Sequence, residues 1–392
     1  MLLKISNEEI KERQKKYKGK LSKRKIDASI LFSTTDIFYL TNFMFRPSER
    51  PIAFFTDSNQ ESHLFVPALE KTHAEEYAVV DHVHSYPEYP GTEHPMNILK
   101  AVLLEEGFSN NSVGIDSGGY SSAKGYAGPK ITELMDFKNI ESIKGLVEKL
   151  RYIKSSNEIE LIKESARWGN LAHTLLVEYT KTGKREMEIE GRATYEATQM
   201  MFKTLGHGYK PYGNPAHAFY RGQIGPHSAF PHSQNQNALI EKGFNVVSQA
   251  ACDVWGYKSE LERTMFIEEA SDVQEKYYKH MYNAQEIAFD KIKPGIKASE
   301  VEKEVQKYFN ENGLSENIKH HTGHNMGLLN HEAPFFFFFY HNIIEEGMVF
   351  CVESGIYVEG LGAFRNSDTI VVTDKGMEMI TYYPRDFESL II

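Results

Sequence analysis

Short apolar runs alternate with amphipathic stretches over the first third of this chain, and longer helical and strand-like periodicities fill the rest. Residues from about 6 to 25 predict a helix: Ser6 or Asn7 can cap it, Glu8 and Glu9 fill its first turn, and lysines crowd its end. Ala28–Phe32, Pro51–Phe55, His63–Val66 and Val113–Ile115 predict strands, while Asp36–Leu40 and Met96–Glu105 predict helices. This is an α/β pattern of domain size.

From Ile143 to Glu178 the helical periodicity is nearly continuous, through Leu146, Leu150, Ile153, Ile159, Ile162 and Ala166. Ser155-Ser156-Asn157-Glu158 sits inside it as a fresh N-terminus, a cap followed by an acid. We therefore expect an N-terminal domain over 1–142, a linker helix over 143–154 and a second domain over 155–392. Within the second, Glu186–Leu205, Val273–Ile292 and Ala298–Asn312 predict helices. Asn245–Ala251, Tyr257–Ile267, Met348–Glu353, Gly355–Val358 and Ser367–Val372 predict strands. Residues 206–240 are rich in Gly, Pro, His, Ser and Asn, and an irregular segment of that length inside a domain is more often functional than idle.

Composition narrows the class. Hydrophobic content of 41% and charged content of 25% are those of a soluble globular chain, and no apolar run reaches membrane-spanning length. A net charge of −10 argues against nucleic acid as a partner. Cys252 and Cys351 make at most one bridge, so a disulfide framework is excluded and the expected compartment is the cytoplasm.

Candidate chemistry concentrates in the second domain. His320-His321-Thr322-Gly323-His324-Asn325-Met326-Gly327 runs on to His331-Glu332-Ala333-Pro334, and its glycines let backbone pass close to a ligand or a strand. Glu260 and Glu262 are two apart in a predicted strand and so share a face. Glu353 ends another strand, Arg365 precedes a third, and His232 lies in the irregular segment. His207, His217 and His227 are read as loop histidines without a task. In the first domain, Arg46 and Arg50, held between prolines, are candidates for binding a carboxylate, with pairing to Glu49 the plainer reading.

These motifs resemble the pita-bread superfamily of aminopeptidase P, prolidase, methionine aminopeptidase and creatinase. Gly323-His324-Asn325-Met326-Gly327-Leu328 through Pro334 resembles its signature, Glu353-Ser354-Gly355-Ile356-Tyr357 its Glu-Pro-Gly-x-Tyr, and Arg151-Tyr152-Ile153-Lys154-Ser155 its domain-joining helix. Residues 1–142 resemble the creatinase-type N-terminal domain. The resemblance implies an α/β (α+β) fold, a pita-bread catalytic domain and a homodimer acting on a small molecule. It also implies five metal-holding positions, and these fall on Gln249, Glu260, His324, Glu353 and Ser367. Two anionic ligands are thus replaced by neutral groups that are poor partners for a transition metal.

The expectation that follows is a C–N hydrolase with no obligatory cofactor. Glu262 and Glu353 grip a cationic or zwitterionic substrate, as in creatinase, with Glu260, Arg365, Arg46 and Arg50 as further substrate contacts. His232 serves as general acid and base, since imidazole titrates near neutrality, and His324 and His331 orient substrate and water. One alternative is a metal-dependent Xaa-Pro dipeptidase or aminopeptidase with a single Mn, Co or Zn ion on Glu260, His324 and Glu353. Another is a silent pita-bread binding module. The Phe335–Phe339 run is expected to line a pocket wall or a subunit interface.

Overall fold

The computed structural model describes residues 4–88 and 91–392. The chain divides into two compact units, Ile5–Arg151 and Tyr152–Ile392.

The N-terminal unit is built on a six-stranded sheet. Its strands are β1 (Ala28–Leu31), β2 (Ala53–Thr56), β3 (Ser62–Pro67), β4 (His82–Tyr86), β5 (Ser112–Ile115) and β6 (Asn139–Ser142), in the order β4-β3-β2-β1-β5-β6. β3 and β4 run parallel, as do β1, β5 and β6, while β2 is antiparallel to both its neighbours. Helix α1 (Asn7–Lys23) starts where Ser6 accepts a hydrogen bond from the Glu9 amide. Its buried side chains Ile10, Arg13, Gln14, Tyr17 and Leu21 fall at helical spacing, and the Tyr17 hydroxyl donates to Ser29 on β1 at 2.9 Å. Helices α2 (Thr34–Thr41), α3 (Lys71–Tyr77), α4 (Pro95–Glu105), α5 (Ile131–Leu134) and α6 (Leu146–Arg151) complete the unit. The sequence pattern missed β4 and β6, whose side chains, Tyr86 apart, are half-exposed or exposed and so carry no apolar run.

The C-terminal unit begins with α7 (Ser156–Tyr179), capped reciprocally by Ser155 and Glu158, and α8 (Glu186–Leu205) packs beside it. An eight-stranded antiparallel sheet follows. It comprises β7 (His217–Phe219), β8 (Asn245–Val254), β9 (Tyr257–Phe266), β10 (Gly323–Asn325), β11 (Glu332–Phe335), β12 (Val349–Val352), β15 (Ser367–Val372) and β16 (Met377–Met379). A separate ribbon pairs β13 (Gly355–Val358) with β14 (Gly362–Arg365), so Arg365 lies within a strand rather than ahead of one. Helices α9 (Asp272–Lys291) and α10 (Ala298–Glu311) pack on each other.

One buried side chain staples this sheet. Arg263 on β9 donates all five of its N–H groups: to the carbonyls of Glu262, Ser367, Tyr383 and Pro384, and to Asp368 Oδ1 at 2.7 Å. Asp368 also accepts from Thr381 at 2.8 Å and from Gln285 at 3.2 Å. A fully buried charge pair persists only when every donor is met in this way.

Candidate active site

Strand register gathers the site. β8, β9 and β15 place Gln249 and Ser367 on either side of Glu262, and β10 sets His324 against Cys351 on β12. Gly323 is required by that last pairing, because a Cβ there would lie 2.2 Å from the Cys351 carbonyl oxygen. A bulge between His324 and Asn325 breaks the β10–β11 ladder. Lys154 ties the segment down by donating to Asn325 and sitting 3.6 Å from Glu332.

The result is a cluster of donors. Within 4.8 Å of one another lie groups from Glu260, His324 and Cys351, from His324, His331 and Glu353, and from Glu260, Glu262 and Glu353. His324 is fully buried and its Nδ1 faces the Asn325 carbonyl at 3.1 Å. Its Nε2 stands 3.4 Å from Glu353 Oε1, an ion-pair separation, and makes no hydrogen bond among the described residues. Burial works against charge on this ring, but Glu353 and Glu260 outweigh it and raise the imidazole to about 9. Burial likewise opposes charge on Glu353, yet His324 and Arg365 hold its carboxyl well below the usual range. His331 packs on His324 with ring centres 4.2 Å apart. Cys351 Sγ lies 3.1 Å from Glu260 Oε1 and 2.7 Å from Ser367 Oγ, which itself lies 3.1 Å from Glu260.

Glu262 corrects the expectation. Both of its oxygens are taken by Arg365, Nε to Oε2 at 2.5 Å and Nη2 to Oε1 at 2.8 Å, and Gln249 donates to Oε1 as well. Burial raises this carboxyl, the guanidinium pulls it back, and Glu260 and Glu353 push it up again. It is therefore not a free carboxylate waiting for a cationic substrate, and Arg365 is not a free guanidinium. Arg365 continues to the Tyr357 hydroxyl at 2.9 Å and to Gln223 at 3.1 Å, and Tyr357 reaches His320 Nε2 at 2.8 Å.

A cavity of about 450 Å³ opens onto this cluster, lined by Pro231, His232, Lys319, His320, His321, His331, Glu353 and Arg365. His232 is exposed at its wall. Burial lowers both His320 and His321, the latter to about 4. The sequence by itself gives His320, His321, Tyr357 and Cys351 no task in this site and does not single out Lys319 or Gln223. Position beside the signature histidine was the available signal for the first pair.

The structure also places the arginines of the first domain and the phenylalanine run. Arg50 is engaged by Glu88 and Glu49, so the plainer reading holds for it, and Arg46 is exposed before β2. The phenylalanine run is split: Phe336 is buried on Phe350 with ring centres 4.4 Å apart, whereas Phe339 is 80% exposed. None of the five is among the cavity's lining residues.

The metallopeptidase family M24 model matches residues 160–374, and the creatinase/prolidase N-terminal domain model matches residues 13–153. A Xaa-Pro dipeptidase from Pyrococcus horikoshii is 27% identical, over 96% of this chain and 98% of its own length. A putative dipeptidase from Bacillus subtilis is 24% identical over 92% and 94%. Among solved structures, the Xaa-Pro dipeptidase from Bacillus anthracis superposes with a TM-score of 0.81 at 25% identity, covering 98% of this chain and 100% of that one.

Proposed function

This chain belongs to metallopeptidase family M24 and is a C–N hydrolase of the creatinase and Xaa-Pro peptidase superfamily, and on that premise we propose that it cleaves Xaa-Pro dipeptides with a single divalent ion. Relatives named as Xaa-Pro dipeptidases favour this reading over the metal-independent one. No helix among the described residues is long and apolar enough to cross a membrane.

The observation that carries the proposal is the state of His324. Its Nε2 is buried without a hydrogen bond, 3.4 Å from an ionised carboxylate and within 4.8 Å of a second, and that donor set suits one transition ion. Glu260, His324 and Glu353 would hold it. Two ions do not fit: of the five family positions, Gln249 is spent on Glu262 and Ser367 offers only a hydroxyl. The positive charge a second ion would bring is supplied by the Arg365 guanidinium beside Glu262. When bound, a single ion polarises the scissile carbonyl and acidifies a water.

The chain's own residues do the rest. His232, in the cavity wall, passes a proton to the leaving prolyl nitrogen. Lys319 in the same wall faces the substrate's carboxylate, and the lowered, neutral His320 and His321 accept or donate hydrogen bonds without adding charge. Assay of chelator-stripped protein on Ala-Pro and on creatine tests this. The expected result is dipeptide cleavage lost on stripping and restored by manganese, cobalt or zinc. Chelator-resistant cleavage of creatine would return the metal-independent reading.

A further inference from the structure

The N-terminal unit holds a second cluster of ligand-type side chains. Glu61 just before β3 and His63 within it lie two apart, His82 and His84 lie two apart on β4, and the parallel register sets His63 beside His82. β4 is the last strand of the sheet, so this patch opens to solvent on one side. A His63 nitrogen, a His82 nitrogen and a Glu61 oxygen lie within 4.8 Å of one another, and His82 Nε2 is already 3.1 Å from Glu61 Oε2. A second group, overlapping at His63, adds His84 and Glu106.

We propose that His63, His82 and Glu61 bind a divalent transition ion of borderline character, zinc foremost, at this sheet edge. His63 is the decisive residue. It is 1% exposed, its Nδ1 sits 3.0 Å from His84 Nε2, and its Nε2 has no partner among the described residues. In the proposed site His63 takes the tautomer that gives its Nδ1 proton to His84, and its Nε2 then presents an oriented lone pair, which is how ligating histidines are held. Asp57 and Asp81 add negative charge within range of His63. The competing account is an imidazole ladder stacked on Phe55, whose ring lies 4.6 Å from that of His63. Stacking explains the ring planes but leaves the buried Nε2 unsatisfied, which structures rarely tolerate.

The test is independent of the catalytic centre. Untagged full-length protein carrying His324→Ala, to disable the other site, is stripped with chelator and titrated with zinc by calorimetry. His82→Ala and Glu61→Gln are then added singly, since both side chains are exposed and neither is needed for the core. About one equivalent of zinc should bind the His324→Ala protein and raise its Tm, and each added substitution should weaken that binding at least about tenfold with the zinc-free Tm unchanged. Zinc binding of equal stoichiometry and affinity with and without His82 would overturn the assignment, as would no binding by the His324→Ala protein.

Discussion

Arg365 and Glu262, 103 residues apart in sequence, close a two-point ion pair with both side chains buried, at 2.5 and 2.8 Å. The pair stands beside Glu260 and Glu353 in a cluster of ligand-type side chains and neutralises one of its three carboxylates from within, which supports the proposal of one ion rather than two.

Removing one member of such a pair strands the other in a low-dielectric site. Arg365→Met should lower the stability of metal-free protein by about 3–5 kcal/mol. The double variant with Glu262→Met should recover most of that loss, because no uncompensated charge remains. Urea unfolding of the two variants against wild type reads the difference.

If neutral groups at 249 and 367 are what limit the centre, restoring their charge should extend it. The Gln249→Asp and Ser367→Glu double variant should retain about one more equivalent of manganese per chain than wild type after dialysis, following the dependence of affinity on ligand charge. Elemental analysis decides it, and an unchanged metal content would count against the single-ion account.

His232 and His227 lie five residues apart in the same irregular segment, but only His232 lines the cavity. For hydrolysis of Ala-Pro, His232→Ala should reduce kcat by about 10²-fold or more, the usual scale of a lost proton carrier. His227→Ala should leave it unchanged. Unaltered hydrolysis in the first variant would remove His232 from the chemistry.

Acid stability should report on His173, which is fully buried with Nε2 2.6 Å from Ser248 Oγ. Burial, then the Arg263 charge, holds its imidazole down to about 3. The unfolded chain, titrating near 6.5, therefore binds the proton more readily than the folded one. This contribution to stability is complete above pH ~6.5 and drains away as pH falls toward 3, amounting to roughly 2 kcal/mol already at pH 5. In His173→Gln the fall in Tm between pH 7 and 5 should be shallower than in wild type.

Much of the architecture was legible because its signals are local. The cap and acid at Ser155 and Glu158 marked the start of α7, and short strand-like runs marked β8, β9 and β15 within a few residues. The Gly323 and His324 motif marked both the close strand approach and the donor beside it. Edge strands were missed where exposure replaced the apolar run, as in β4, and so was the histidine patch that strand carries.

The chain's own pattern thus determined which segments form helices and strands, and which side chains have ligand chemistry. Tertiary structure alone decided whose partner each became. Periodicity is set by neighbours a few residues away, whereas the fate of Glu262 depends on a guanidinium delivered by a distant strand. The arrangement of His63, His82 and His84 depends in the same way on two parallel strands meeting in one register. Register is a property of the packed sheet, and no local stretch of sequence carries it.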